Sequence, residues 1–181
     1  MKYSKNIVLK NGTEVLIRNG DAPDGAAVFE NFNRTHEETD YLLSYPDENS
    51  FDAEQEGRFL EEKTNSANEI EIIAIVDDTV VGTAGIEAIG NKYKVKHRAE
   101  FGISILKEYW GIGLGRALTE ACIQCAREAG YVQLELNVVA ENERALSLYR
   151  SLGFEEFGRN PRGFKSRTSG YQELVYMLLI L

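Results

Sequence analysis

The sequence predicts an α+β fold: a mixed, mostly antiparallel sheet with helices on both faces. Three observations predict it. β-rich runs pair through short turns, at 7–18 around Asn11-Gly12 and at 70–87 around Asp77-Asp78. A strand at 101–106 leads through a glycine-rich turn into apolar residues at 114, 117, 118, 121, 122, 125 and 129, the spacing of one helix face. A further strand at 133–139 follows Gly130 closely, and strand, helix, strand in that order makes a parallel crossover, right-handed by default.

The remaining elements follow in chain order. Ile7–Lys10 and Thr13–Arg18 form the opening hairpin. Asp21-Ala22-Pro23-Asp24 is a helix start, with proline tolerated in the first turn, and the helix runs to about Asn33. Residues 35–50 are mostly polar, and a second helix spans Asp52 to about Thr64. Ile70–Val76 and Thr79–Glu87 make the second hairpin. After Gly90-Asn91 a strand is expected from about Tyr93 to Leu106, with Lys92, Lys94, Lys96, His97 and Arg98 near its start. Gly130 stops the following helix. Asn142 caps another, in which Ala145, Leu148, Tyr149 and Leu152 share a face and which Gly153 ends. A strand at about Phe154–Gly158, a loop carrying Arg159, Arg162, Lys165 and Arg167, and a last strand at about Tyr171–Leu181 complete the chain. The expectation is one domain over residues 1–181.

Composition narrows the function. A net charge of −9 argues against nucleic-acid binding, which needs clustered Lys and Arg. No apolar run approaches the roughly 20 residues of a membrane span. Met1–Asn6 lacks a signal-peptide apolar region, so a cytoplasmic protein is expected. Cys122 and Cys125 have C-x-x-C spacing, yet both lie mid-helix on the apolar face, where thiols are inert hydrophobes. His36 and His97, the only histidines, are far apart, so no metal site is expected.

The stretch that organises the chain is Tyr109-Trp110-Gly111-Ile112-Gly113-Leu114-Gly115-Arg116. Glycines at alternate positions strip Cβ atoms from one edge of the loop. The helix that follows offers unpaired N–H donors and the positive end of its dipole. Together they suit a phosphate or diphosphate, although on the glycines alone a tight turn without ligand is the alternative. A Walker loop would need Lys-Ser or Lys-Thr where Arg116-Ala117 stands, and the G-x-G-x-G spacing is not the dinucleotide G-x-G-x-x-G.

The segment resembles motif A of the GNAT superfamily of N-acetyltransferases, Arg/Gln-x-x-Gly-x-Gly/Ala. Gly113 and Gly115 fill the small positions, and Trp110 departs from Arg/Gln. Residues 142–154 are similar to its motif B, N-x-x-A-x-x-x-Y-x-x-x-G-F, through Asn142, Ala145, Tyr149, Gly153 and Phe154. The resemblance covers Ile70–Leu181 well and the first 69 residues loosely.

The resemblance implies a GNAT-like fold and an enzyme that moves an acetyl group from acetyl-CoA, as cosubstrate and without a metal, to a primary amine. It implies that the strand at Ile103, Ser104 and Ile105 pairs with the pantetheine arm. Backbone amides of Gly111, Ile112, Gly113, Leu114, Gly115 and Arg116 would hold the diphosphate. Asn142 would bond the pantetheine chain. Tyr149 would protonate the departing sulfur, its alternative being a half-buried helix aromatic. Glu100 is the candidate base, acting directly or through water, with a paired surface carboxylate as the alternative. Asn137 would orient the acceptor. The acceptor is a small-molecule amine or a protein N-terminus, and a homodimer fits the family.

Charge adds two open readings. Residues 21–62 hold thirteen Asp or Glu against Arg34 and Arg58. In the family's fold this region walls the acceptor side, so the acids either attract a cationic amine or form a solvated face. The basic cluster 92–98 either meets the 3′-phosphate of coenzyme A or an acidic acceptor, or is an exposed strand end. A non-catalytic acyl-CoA sensor and a nucleotide-binding module are the competing functional classes.

Overall fold

The computed structural model describes residues 1–181. Asn11-Gly12 turns β1 (Ser4–Val8) into β2 (Glu14–Asn19), with Gly12 at φ +88°. Asp77-Asp78 turns β3 (Ile70–Val76) into β4 (Thr79–Ala88), both aspartates taking positive φ as a type I′ turn demands. Between the hairpins lie α1 (Gly25–Glu38) and α2 (Ala53–Asn65). Then come β5 (Arg98–Ile105), α3 (Leu114–Glu128), β6 (Gln133–Val139), α4 (Glu143–Ser151), β7 (Glu155–Ser166) and β8 (Gly170–Ile180). The eight strands form one sheet in the order β1-β2-β3-β4-β5-β6-β8-β7. Only β5 and β6 run parallel, so the expected mixed, mostly antiparallel sheet is observed.

The period-2 pattern of β3 sorts the layers. Ile70, Ile72, Ala74 and Val76 belong to the main core with Leu114, Leu118 and Cys122 of α3 and Leu146 and Tyr149 of α4. Ile73 faces the other way and packs with Val28 of α1 and Leu60 of α2. Helices therefore cover both faces, α1 and α2 on one and α3 and α4 on the other. The start of α1 and the middle of α2 meet backbone to backbone. A Cβ on Gly25 would stand 2.4 Å from the Ala53 carbonyl, and one on Gly57 2.7 Å from the Ala22 carbonyl. No helix is long and apolar enough to cross a membrane.

Three boundaries differ from those the sequence suggests. The first helix runs five residues past Asn33, to Glu38, because Thr35 and His36 are buried and bond back to its own carbonyls. The strand expected from Tyr93 begins only at Arg98. Lys92 instead accepts from the amides of Val95 and Lys96, a single helical turn. The expected loop at 159–167 is mostly strand. β7 continues to Ser166 along the sheet edge, irregular between Glu156 and Gly158 and between Asn160 and Phe164.

Cys122 and Cys125 are free and buried. Burial holds the Cys122 thiol well above its ordinary range and pushes Cys125 up to about 11. Ellman's reagent should titrate no thiol in the folded protein and two in denaturant. Gly57→Ala should lower unfolding free energy by about 1–3 kcal/mol in urea titrations, because the Ala22 carbonyl cannot yield as a side chain would.

Candidate active site

β5 and β6 are each held on the outside and barely held to one another. β5 pairs with β4 from Ala99 to Ile105, and β6 pairs with β8 from Gln133 to Val139. Between β5 and β6 only Arg98↔Gln133, Ala99↔Leu134 and Glu100↔Glu135 are partners. Beyond them the strands part. Ile89 N–H donates to the Arg98 carbonyl at 3.2 Å and Leu106 N–H to the Val81 carbonyl at 3.0 Å. Antiparallel alternation then commits the even-numbered residues of β5 to β4 and turns the backbone groups of 101, 103 and 105 into the split.

This alternation separates the three strand residues singled out by sequence. Ile103 and Ile105 face the split with their backbone. The Ile105 carbonyl already accepts from Trp110 Nε1 at 2.8 Å. Ser104 pairs with Thr83, so its backbone is committed to β4, and its side chain projects on the α1/α2 face beside the Thr83 hydroxyl at 3.4 Å.

At the end of β5 the chain makes a short 3-10 turn, then the glycine loop, then α3. Gly111 (φ +79°) and Gly113 (φ +105°) take left-handed backbone, and Gly113 caps α3. Gly115 serves differently. A Cβ there would stand 3.3 Å from Leu148 and 3.5 Å from Ile105, so this glycine admits α4 against α3. The amides of Gly111, Ile112, Gly113, Leu114, Gly115 and Arg116 make no hydrogen bond within the chain; the first helical bond is Ala117 N–H to the Gly113 carbonyl. Six consecutive donors at a helix N-terminus are an anion cradle. The Arg116 side chain turns away, to Ser151 at 2.6 Å and Glu120 at 3.4 Å, leaving its amide to the cradle.

Two cations missed by sequence reading flank the loop. The Lys10 side chain lies 3.9 Å from where a Gly113 Cβ would be, and Arg144 Nη1 3.9 Å from the corresponding point at Gly111. The Arg144 guanidinium also stacks over the Trp110 ring at 5.5 Å. By contrast, the basic turn 92–97 sits at the opposite end of β5, eight residues or about 26 Å away at ~3.3 Å per residue. That distance separates it from the cradle.

Below the split lie the motif B residues. Asn142 Oδ1 accepts from Ala145 N–H at 3.2 Å as the cap of α4, which leaves its Nδ2 free. Tyr149 is buried, edge-on to Phe101 and tilted against Phe154 at 6.1 and 5.8 Å between ring centres. Desolvation raises its phenol well above the ordinary tyrosine value. Glu100 stands on the opposite face at the point of parting. Its Oε1 accepts from Asn137 Nδ2 at 3.1 Å, a bond that spans the mouth of the split. Burial raises the Glu100 carboxyl, helped by Glu135 and Glu87, its neighbours in the same row across the sheet. Arg98 is spent on Glu135 and makes no bond to Glu100.

Part of the acidic stretch 21–62 is paired within the fold. Asp24 pairs with Arg18, Asp47 and Glu48 with Arg167, and Glu54 with Arg58. Asp40 anchors the β7–β8 tip by accepting from Ser166, Thr168 and Ser169. His36 is buried on Phe32, and His97 is exposed in the basic turn.

Residues 27–154 match the model of the Acetyltransferase (GNAT) family. The chain belongs to this family. An acetyltransferase of the GNAT family from Streptococcus pneumoniae superposes with a TM-score of 0.88 at 29% identity, covering 92% of this chain and 99% of that one. A putative acetyltransferase from Salmonella typhimurium, solved with its cofactor acetyl-CoA, shares the fold with a TM-score of 0.79 at 22% identity, covering 92% and 94%. The [Ribosomal protein bS18]-alanine N-acetyltransferase of Escherichia coli K12 is 38% identical over 79 residues, 44% of this chain and 53% of its own length. The curated relatives are matched over 23–53% of their length.

Burial keeps Tyr149 protonated through the range where ordinary tyrosines ionise, near pH ~10. Absorbance titration at alkaline pH should therefore be the same for the wild type and Tyr149→Phe through that range, differing only at higher pH.

Proposed function

We propose that this protein transfers the acetyl group of acetyl-CoA to a primary amine, and that Ile103, Gly111–Arg116, Asn142, Tyr149 and Glu100 carry the reaction. The observation that carries the reading is the six-amide cradle at the start of α3, set at the open end of the split between β5 and β6. The diphosphate would take the cradle amides, with Lys10 and Arg144 adding positive charge at its rim. The pantetheine amides would pair with the unpaired N–H and C=O of Ile103, as an added strand does. Asn142 Nδ2 is the free donor on the far side of the split.

The thioester is then held at the parting point, with Glu100 on one face of the sheet and Tyr149 on the other. The amine approaches from the α1/α2 face and gives a proton to Glu100, whose raised carboxyl makes it a better base than a solvated glutamate. The amine nitrogen bonds to the carbonyl carbon as the C–S bond breaks. Tyr149 meets the leaving thiolate. Its burial holds the phenol far above the ~8.5 of a thiol, so it stabilises sulfur by donating a hydrogen bond, and solvent completes protonation.

Tyr149→Phe should lower kcat by about 10- to 100-fold, the worth of a hydrogen bond to a charged group, with the acetyl-CoA Kd unchanged in calorimetry. Full-rate turnover would remove Tyr149 from the mechanism. Glu100 must be unprotonated to act, so kcat/KM should fall with decreasing pH through a value above the ~4.3 of a free glutamate, and Glu100→Gln should abolish that limb. Trp110 is the only tryptophan, so its emission should change on titration with acetyl-CoA; an unchanged spectrum with no calorimetric heat would refute the cofactor assignment.

A further inference from the structure

A second feature lies on the α1/α2 face, next to the proposed centre. Glu71, Gly85 and Gly102 are partners in one row across β3, β4 and β5. The two glycines leave that row without side chains on β4 and β5. The Glu71 carboxylate lies in the space so made: Oε2 would be 2.0 Å from a Cβ on Gly85. Over Gly102 nothing stands within 4 Å of the Cβ position. Partner Cα atoms across antiparallel strands are about 4.5–5.5 Å apart, and residues two apart along a strand about 6.6 Å. The open spot over Gly102 is thus flanked by Glu71 from one side and Glu100 along the strand from another.

This spot adjoins a cavity of about 380 Å3 between α1, the 44–51 segment, α2 and the sheet. Its walls are Phe32, Phe51 and Phe59, its acids Glu71, Glu56 and Glu48, and Ser104 of β5 also lines it. It holds no lysine or arginine. Outside it, Arg167 pairs with Glu48 at 3.7 Å, and Lys63 is taken by Glu69 at 2.8 Å and Glu87 at 3.4 Å. Burial raises the Glu71 carboxyl to about 7, with Glu56 and Glu87 adding to the rise and the Thr83 hydroxyl and Lys63 opposing it. Burial also raises Glu56.

We infer that the acceptor is a small primary amine with an apolar body and no carboxylate, its ammonium over Gly102 between Glu71 and Glu100 and its body among the three phenylalanines. The inference rests on the acetyl-transfer reading and adds the substrate class. An ammonium gains two carboxylates and aromatic faces there. A carboxylate on the same molecule would meet Glu56 and Glu71 in a desolvated pocket, a like-charge arrangement that disfavours amino acids. A protein N-terminus would carry a polar main chain into the walls of Phe32, Phe51 and Phe59.

Phenethylamine and phenylalanine differ only in the carboxylate and make the test, with an alanine-terminated peptide as the third acceptor and release of coenzyme A thiol as the readout. Phenethylamine should exceed phenylalanine in kcat/KM by roughly a hundredfold, the scale of like-charge exclusion. Glu71→Gln should raise the phenethylamine KM by about tenfold or more, the loss of one charged partner. Gly102→Val enters open space, so it should fold, bind acetyl-CoA as the wild type does, and lose turnover. Phe51→Ala, at the rim of the cavity, should raise KM without changing acetyl-CoA binding. Preference for phenylalanine or the peptide, no turnover of phenethylamine by a wild type that binds acetyl-CoA, or full turnover by Gly102→Val would overturn the inference. A wild type that fails to bind acetyl-CoA would instead overturn the acetyl-transfer reading.

Discussion

The parting of two parallel strands is the constraint on which the site depends. β5 follows β4 and β6 follows β8 through seven partner pairs each, while β5 and β6 share three. Each strand is thus bound more strongly to its outer half of the sheet than to the other half. Past Glu100 and Glu135 the two halves follow their own twist and diverge. Phe101, the first residue of β5 beyond the last pair, packs edge-on to Tyr149, and Phe154 closes on the same ring. This aromatic wedge fills the α3/α4 side of the opening, so the split is supported from beneath. Backbone groups left there without partners are costly unless water or a ligand meets them. An extended amide-bearing arm would satisfy them with the geometry of a strand.

Electrostatics divides the two faces of the same opening. Glu87, Glu100 and Glu135 stand in one row, an arrangement that would repel itself if all three were bare. The ends are compensated, Glu87 by Lys63 and Glu135 by Arg98. Glu100, in the middle, has only the neutral Asn137 amide. The fold therefore leaves its one uncompensated carboxylate of the row where the strands part. On the loop side the balance reverses: free amides, Lys10 and Arg144 gather at the start of α3. An anionic carrier and a cationic acceptor would be drawn to opposite sides of one gap.

Local pattern made much of this legible in the sequence. Asp77-Asp78 between alternating runs and the 3.6-residue repeat after Leu114 are signals that tertiary context reinforces. The glycine loop follows β5 directly, Tyr149 packs on Phe101 just beyond the last β5–β6 pair, and Glu100 belongs to that pair. Two misread stretches share a cause. Tyr93 and Val95 alternate with lysines and mimic a strand, but no neighbour is there to pair with, and the Lys92 carbonyl closes a helical turn instead. Arg159, Arg162 and Lys165 look like a loop because an edge strand carries its charges outward. Glu71 is invisible for a different reason. It sits inside the apolar run Ile70–Val76, and only its register with Gly85 and Gly102 shows that the carboxylate has room to cross the sheet. Registers between strands thirty residues apart are not written in either strand alone.

Trp110 shows how a departure from a motif can be absorbed. The position ordinarily offers a polar side chain near the carrier; here the indole N–H occupies the Ile105 carbonyl, the last acceptor along the split, at 2.8 Å. The ring's other partner is Arg144 from the first turn of α4. One side chain thus touches the strand that would hold the arm, the loop that would hold the diphosphate and the helix that carries Asn142 and Tyr149. A ligand drawing Arg144 toward the cradle would strip the cation from the indole, and an arm competing for the Ile105 carbonyl would act on the same ring. Occupation of the cradle and of the split would therefore both alter the surroundings of Trp110.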